Sequence, residues 1–538
     1  MNKLYYGDNL TVMQHRMGKD SVDLIYLDPP FNSKRSYNLM YTNMTGMPVP
    51  EQVEAFCDTW EMDADKERAA REMPVLLREY GVDDYYVEFW RLWMKALRNT
   101  QPRLLAYLIY MVERLLHMRS ILRPTGSIYL HCDPTASHYI KVMMDGIFGH
   151  NNFRNEIVWK RSHAHNSARR WGPIHDSILF YTKSDNYTWN QSYQPYEQEY
   201  LDSYFKFDDK DGRGKYWTGD ITGAGTRNGP SGESWRGFDV RAKGRHWACS
   251  PEELERLDGD NRIYWPPTKG AMPKLKRYLS EAKGIPVQDI ILDVPSLQKM
   301  SAAHSESLGY PTQKPVGLLK RIIEVSSNPG EVVFDPFCGC GTTIYAAQAT
   351  GREWIGCDIA ILSIKLVKIQ LEKQFGLMDS KDYKLSGIPV SVEQAELLFK
   401  ESPSHFQNWL VERIGGLPSV RKSADRGIDG KMYFETKDGF KEIVLSVKGG
   451  HIRPTDIRDL RGVLEREENA EMAGFLSLKE PTKAMRDEAA QAGNYEYAGR
   501  FYPRIQLLTV REILEDKKLF DSPTRIGLKG VNQMSLAV

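Results

Sequence analysis

The chain has 538 residues, 41% of them apolar and 27% charged, a length that exceeds one ordinary core and predicts two or three domains. A net charge of +1 excludes a globally basic or acidic chain, so any nucleic-acid contact must come from local patches. Six cysteines exclude a disulfide framework and fit a reducing compartment; with no apolar leader and no apolar run beyond Leu104–Val112, the expectation is a cytoplasmic protein without a membrane span.

In chain order, Leu4-Tyr5-Tyr6 reads as a short strand that ends at the turn residues Gly7-Asp8-Asn9. Val22, Leu24, Ile25 and Leu27 form a buried strand, stopped by Pro29 and Pro30, which cannot continue a ladder. Asp28 therefore sits at the carboxyl end of a strand, where open α/β sheets bind ligands. With the Pro29 carbonyl and the Phe31 ring it forms a set suited to a flat, amino-bearing heterocycle: two acceptors and a stacking surface. Residues 34–100 read as irregular, then acidic and helical. A helix over 103–122 carries Leu104, Leu108, Met111, Leu115 and Leu122 on one side. Pro124-Thr125-Gly126 breaks it, a strand follows at Ser127–His131, and a helix spans about 135–147. This alternation predicts a mostly parallel sheet with helices on its faces.

From about residue 151 the pattern changes. Seven of the twelve tryptophans fall between Trp159 and Trp265, and 154–171 holds Arg154, Lys160, Arg161, Arg169 and Arg170 against a single acid, Glu156. Basic residues among aromatics suit a surface that neutralises phosphates and contacts bases, or equally an irregular insertion with surface arginines. Alternation returns with a helix at 315–326, a strand at 331–334, a helix at 342–350, a strand at 354–357 and a helix at 361–375. Between them, Phe334-Asp335-Pro336-Phe337-Cys338-Gly339-Cys340-Gly341-Thr342 is a strand, a glycine-bearing loop and a helix start. Gly339 and Gly341 let backbone approach a ligand. The loop lacks the Gly-x-Gly-x-x-Gly and Lys-Ser/Thr patterns of phosphate sites. Asp335 would repel phosphate and suits a cationic amino-acid group, while Asp358 at the next strand end is placed for ribose hydroxyls. Together these outline S-adenosylmethionine. Cys338 and Cys340, with no companion pair, read as small loop residues rather than metal ligands.

These motifs resemble the amino-group DNA methyltransferases of the permuted, adenine-N6/cytosine-N4 (beta) class. The order is Asp28-Pro29-Pro30-Phe31, then the aromatic-basic region, then Phe337-Cys338-Gly339-Cys340-Gly341, with Tyr310-Pro311-Thr312-Gln313-Lys314-Pro315 ahead of the cofactor strand. The resemblance implies an α/β, Rossmann-like S-adenosylmethionine-dependent sheet of seven strands over residues 1–376: a catalytic part at 1–185, an inserted target-recognition region at about 186–308 and a cofactor part at 309–376. It implies Asp28, Pro29, Pro30 and Phe31 as the catalytic set, and Asp8, Thr312, Gln313, Lys314, Pro315, Asp335, Phe337, Gly339, Gly341 and Asp358 around the cofactor. Lys160, Arg161, Arg169 and Arg170 are the expected DNA contacts. The implied partner is double-stranded DNA, bound by a homodimer. The target base would be flipped out; aspartate at position 28 points to adenine N6, with cytosine N4 as the alternative.

After a linker expected at 377–404, residues 405–538 read as a smaller α/β unit. Asp429, a hairpin through Lys437-Asp438-Gly439 and Lys448 follow one another. This order resembles the PD-(D/E)xK nuclease fold in its Mrr-like form, a restriction-endonuclease-like domain. That implies Asp429 as a Mg2+ ligand, Lys448 as its companion and Glu412 as an accessory acid. The departure is Ser446, where the family places an acid or Gln and where serine is a poor Mg2+ ligand. Two outcomes stand: a nuclease cleaving unmethylated DNA with Mg2+, or a non-cutting DNA-binding or structural domain. Asp429 also fits a simple Asp-Gly turn.

Overall fold

The computed structural model describes all residues except 31–35, 40, 43–52, 58–59, 133–135, 163–168, 170, 298–305, 309, 311, 420–426, 438, 524–526 and 529–538. Phe31 and Arg170 therefore lie outside the described residues. The chain divides into two compact units, one of residues 1–190 with 289–538 and the other of residues 191–288.

The larger unit is built on one sheet. Its strands are β1 (Asn2–Tyr6), β2 (Val22–Leu27), β3 (Leu122–Cys132), β4 (Phe153–Lys160), β5 (His175–Thr182), β6 (Ile290–Ile291), β7 (Val332–Asp335), β8 (Glu353–Asp358) and β9 (Tyr383–Ser386). They run in the order β6-β4-β5-β3-β2-β7-β8-β1-β9. All neighbours are parallel except those of β5, which is antiparallel to β3 and β4. The sheet thus has nine strands rather than the expected seven, with the two-residue β6 and the four-residue β9 at its edges. The Pro124-Thr125-Gly126 break lies inside β3, whose pairing with β2 shifts register between Val22 and Leu24.

Helices cover both faces, as parallel strands require. On one side lie α1 (Asn9–Arg16), α2 (Ala64–Glu79), α3 (Asp84–Thr100), α4 (Pro102–Ile121) and α5 (Ser137–Phe148). There Ile25, Leu27 and Phe334 meet Leu105, Leu108 and Leu115. On the other side lie α6 (Val316–Ser326), α7 (Thr342–Ala349) and α8 (Ile361–Phe375), where Leu24, Tyr26 and Val333 meet Leu319, Ile344 and Ile364. The strict alternation of 24/26 against 25/27 is the period-2 geometry of a strand buried on both faces. Each fully buried aliphatic side chain of β2 contributes about 1.5–3 kcal/mol, which anchors the strand that presents Asp28.

The stretch expected to be a linker is structured. Residues 383–386 are β9, paired with β1, and α9 (Val392–Glu401) leads into α10 (Pro403–Arg413). A second, five-stranded sheet follows in the order β10 (Leu417–Pro418), β11 (Gly430–Thr436), β12 (Gly439–Lys448), β13 (Ala470–Ser477) and β14 (Ile505–Thr509). The β11–β12 pair is the expected hairpin. The unit runs α10, β11, β12, α11 (Pro454–Arg466), β13, α12 (Lys483–Ala490), β14, with α11 and α12 as crossover helices. Beside these stand β10 and a hairpin of Asn494–Tyr497 with Arg500–Pro503.

The smaller unit, residues 191–288, is a region of short strands. A three-stranded antiparallel sheet joins Tyr216–Asp220, Lys274–Tyr278 and Ile263–Tyr264. Its own core gathers Ile221, Trp235, Val240, Trp247, Leu254 and Ile263, three β-branched aliphatics packed with two tryptophans and a leucine that fill the larger gaps.

Candidate active site

Four carboxylates line up across the carboxyl ends of four adjacent parallel strands. Asp28 follows β2, Asp335 ends β7, Asp358 ends β8, and Asp8 lies just beyond β1. Each came from the same local pattern, an apolar strand stopped by an acid, and the sheet order sets them side by side.

Asp28 is held from one side only. The Lys314 ammonium is ion-paired with its Oδ2, whereas Oδ1 is buried with no hydrogen-bond partner among the described residues. A buried carboxylate oxygen without a donor costs free energy until one arrives. Lys314, expected beside the cofactor, is thus drawn to Asp28, and its Nζ also donates to the Thr312 carbonyl at 3.3 Å. Gln313 braces its own loop: Oε1 accepts from Leu308 N at 2.7 Å and Nε2 donates to the Glu306 carbonyl at 2.8 Å. Pro315 precedes the first turn of α6, as its fixed φ favours.

The glycine loop closes on two acids. Asp335 accepts from Phe337 N at 3.0 Å. Burial pushes its carboxyl up to about 7; bonds from Thr343 and Phe337 oppose the shift, and repulsion from Asp28 and Asp358 adds to it. Asp358 accepts from Gly339 N at 2.8 Å and Ala360 N at 2.9 Å, and burial raises its carboxyl too. Gly341, the residue before α7, has φ +87°, and a Cβ there would come within 2.7 Å of Val367. Both the left-handed backbone and the close approach require glycine. The neighbouring thiols are protonated: burial holds Cys338 well above the ordinary range and lifts Cys340 to about 11. Among the described residues no group of three or more His, Cys, Asp or Glu could hold a metal ion.

Asp8 caps α1, accepting from Leu10 N at 3.0 Å. Its other oxygen meets Arg114 Nη2 at 2.6 Å. Arg114 Nε donates to Asn9 at 2.7 Å, and Asn9 Nδ2 to the Pro336 carbonyl at 2.8 Å. Arg114 escaped sequence reading because it lies on the apolar helix α4, where its spacing reads as a surface charge.

A second buried chain of polar groups lies under β2. The Tyr26 hydroxyl is 2.8 Å from His131 Nδ1, His131 Nε2 is 3.2 Å from Asp176, and Asp176 pairs with Arg161 at 3.2 Å. Arg161 is therefore partly engaged within the fold. Lys160 ends β4, Arg169 is exposed, and Trp171 beside it is 98% exposed.

In the C-terminal sheet, Asp429 Oδ2 accepts from Val447 N at 2.6 Å, Ser446 is buried and Lys448 ends β12. Glu412, expected as an accessory nuclease acid, is engaged at the start of a methylase helix. Its Oε2 accepts from Ile361 N, the first residue of α8, at 3.1 Å. Burial lifts its carboxyl to about 7, with the Ile361 N–H opposing and Asp358 adding to the shift.

The family model for N6/N4 DNA methylases, described as DNA methylase, matches residues 22–368. The chain belongs to this family. It is 35% identical over 266 residues to the type II methyltransferase M.EcaI of Enterobacter cloacae, covering 49% of this chain and 56% of that one. It is 28% identical over 363 residues to the Mod subunit of the type III restriction-modification enzyme StyLTI of Salmonella typhimurium, covering 65% and 50%. A 57-residue stretch is 56% identical to the DNA adenine methyltransferase YhdJ of Escherichia coli K12, covering 11% and 19%. The chain spans about half the length of the first two of these relatives. Residues 402–512 match the NACHT-associated inactive restriction endonuclease 1 family, so the C-terminal part of this DNA methylase is a restriction-endonuclease-like domain. Among the described residues no helix is long and apolar enough to cross a membrane.

Proposed function

We propose that this DNA methylase transfers a methyl group from S-adenosylmethionine to the N6 amino group of adenine in double-stranded DNA. The observation that carries the reading is Asp28 itself: a carboxylate at a strand end, neutralised on one oxygen by Lys314 and, among the described residues, without a hydrogen-bond partner on the other. Oδ1 is an acceptor without a donor, which an exocyclic amino hydrogen would supply. The aspartate at this position and the adenine-specific name of one relative favour adenine over cytosine.

The residues present fit the methyl donor. The acids at the ends of β7 and β8 repel one another and call for a cation, which phosphate-bearing cofactors do not offer. Asp335 and Asp8 would hold the amino-acid end and Asp358 the ribose, beside the backbone of Gly339 and Gly341. When bound, S-adenosylmethionine supplies an electrophilic methyl group on a sulfonium. Asp28 and the Pro29 carbonyl accept the two amino hydrogens of the flipped base, drawing its nitrogen out of conjugation and freeing the lone pair for in-line attack. Asp28 then stabilises the ammonium that forms and takes up its surplus proton. The gain is positioning and electrostatics. Phe31 is assigned the stacking role.

Arg169, Trp171 and Lys160 suit phosphate and base contact near the catalytic part, and residues 191–288 are assigned target recognition. The C-terminal domain is assigned no cleavage: Ser446 supplies no carboxylate, and Asp429 is engaged by a backbone N–H. The test is methyl transfer from labelled S-adenosylmethionine to unmethylated genomic DNA, with nucleoside mass analysis. Label in N6-methyladenine is expected; label in N4-methylcytosine overturns the base, and no label overturns the activity.

A further inference from the structure

The C-terminal domain does not sit apart from the methylase core. Phe406, Trp409, Leu410, Val411 and Ile414 of α10 and its end belong to the same buried cluster as Tyr6, Ile361, Ile364 and Val367. The His405 ring packs against Tyr6 with centroids 4.7 Å apart, directly before Gly7 and Asp8. A polar bond also crosses this apolar seam, at the start of α8. Glu412 Oε2 accepts from Ile361 N at 3.1 Å. The residue before that helix, Ala360, offers no side-chain cap, so an orphan N–H of the first turn of α8 is satisfied from the other domain.

That first turn is tied to the glycine loop. Ser363 lies in it, fully buried, and hydrogen-bonds the Asp358 carboxylate; its Oγ is also 3.3 Å from the Tyr310 hydroxyl. Asp358 in turn holds Ala360 N at 2.9 Å and Gly339 N at 2.8 Å. The path from Glu412 to Ile361, along the first turn of α8 to Ser363, and on to Asp358 and Gly339 is continuous.

We propose that the restriction-endonuclease-like domain is a built-in brace of the cofactor site, with Glu412 a positioning residue that fixes the start of α8 and, through it, Asp358 and the Gly339 loop. This rests on the S-adenosylmethionine reading given above. It gives the domain a task that needs neither metal nor DNA cleavage. By linkage, whatever orders the loop must also order α10.

The test uses the full chain and S-adenosylmethionine. Glu412→Ala is expected to raise its Kd about tenfold, the worth of one buried charge-assisted hydrogen bond, with the turnover rate at saturating cofactor changed less than about twofold. Glu412→Gln, which keeps an acceptor, stays near wild type. An unchanged Kd in Glu412→Ala, or a loss in Glu412→Gln as large as that in Glu412→Ala, overturns the proposal. Because Glu412→Ala could fail to fold, wild type carries a second measurement: hydrogen exchange in residues 405–414 slows when S-adenosylmethionine binds. Binding without any slowing there also overturns the brace. Failure of wild type to bind S-adenosylmethionine at all would instead sink the functional reading on which it stands.

Discussion

Asp335 offers the sharpest test of the cofactor site. Its carboxyl is buried and pushed up to about 7, so with no cation beside it the group is about half protonated at neutral pH. The ordinary carboxylate value is near 3.8, and a rise of that size corresponds to about 4 kcal/mol against ionisation. A cationic ligand bound beside it favours the ionised form. The sign follows: above pH 7 the acid is already ionised and binding releases no proton from it, whereas below pH 7 each binding event must expel one. Affinity therefore falls as pH drops through 7. Between pH 8 and pH 6 the ratio of ionised fractions gives about tenfold weaker binding. Calorimetric titration of S-adenosylmethionine at pH 6, 7 and 8, in buffers of different ionisation enthalpy, reads both the affinity and the proton count. Asp335→Asn cannot titrate there and serves as the control for the ligand's own groups, so the tenfold effect is the difference between the two proteins. Equal pH dependence in wild type and Asp335→Asn would refute the placement of a cation against this acid.

Asp28→Ala is expected to lower methyl transfer at least about a thousandfold, the scale of losing a preorganised polar group at a reacting centre, while calorimetry still shows cofactor binding. Lys314→Met leaves the Asp28 carboxylate enclosed without its ion-pair partner and should lower unfolding stability by roughly 3 kcal/mol, most of it recovered in Asp28→Asn/Lys314→Met; denaturant titrations check the cycle. Trp171→Ala, at a 98% exposed side chain, should leave the thermal midpoint unchanged and weaken DNA binding several-fold by loss of base stacking, read by fluorescence anisotropy. Arg169→Ala should reduce the salt dependence of the same binding curve by about one phosphate contact. Unmethylated plasmid incubated with the protein and Mg2+ should stay supercoiled on a gel; linear product, lost in Asp429→Ala, would restore the nuclease alternative.

The part of the site that the sequence made legible is the part written in short range. Val22–Leu27 is an unbroken buried run stopped by Pro29 and Pro30, and every residue of that strand is buried in the sheet. Asp335 and Asp358 stand at strand ends for the same reason, and the methylase family match covers the three strands that carry these acids. What stayed hidden depends on long-range partners. The strand at 153–160 presents Arg154, Asn155 and Glu156 with little burial, so its alternation gave way to the compositional change around it. The strand at 383–386 is four residues long and exists because β1 offers a sheet edge; nothing local distinguishes it from a linker. Arg114 reaches Asp8 across 106 residues, and Lys314 reaches Asp28 across 286. Pattern shows which residue types are present, and packing alone shows which acid meets which base.

The C-terminal domain shows the same division between pattern and partnership. Its hairpin, its parallel strands and its Asp429-to-Lys448 spacing follow from local periodicity, so its resemblance to a restriction endonuclease could be read from the chain alone. The chemistry of such a fold depends on gathering several oxygen ligands around one divalent cation. Here the groups that would gather have other partners. Asp429 Oδ2 is bound by the Val447 N–H, Glu412 is bound by the Ile361 N–H, and position 446 is a buried serine. Each of these carboxylates keeps a second oxygen, so what thins the ligand set here is the serine at position 446, which brings no carboxylate. For Glu412, turning Oε2 towards a cation would leave the Ile361 N–H at the start of α8 without its acceptor. Under the brace proposed above, cutting and bracing would draw on the same side chain, and the bond that Glu412 makes in this fold is the one the brace requires.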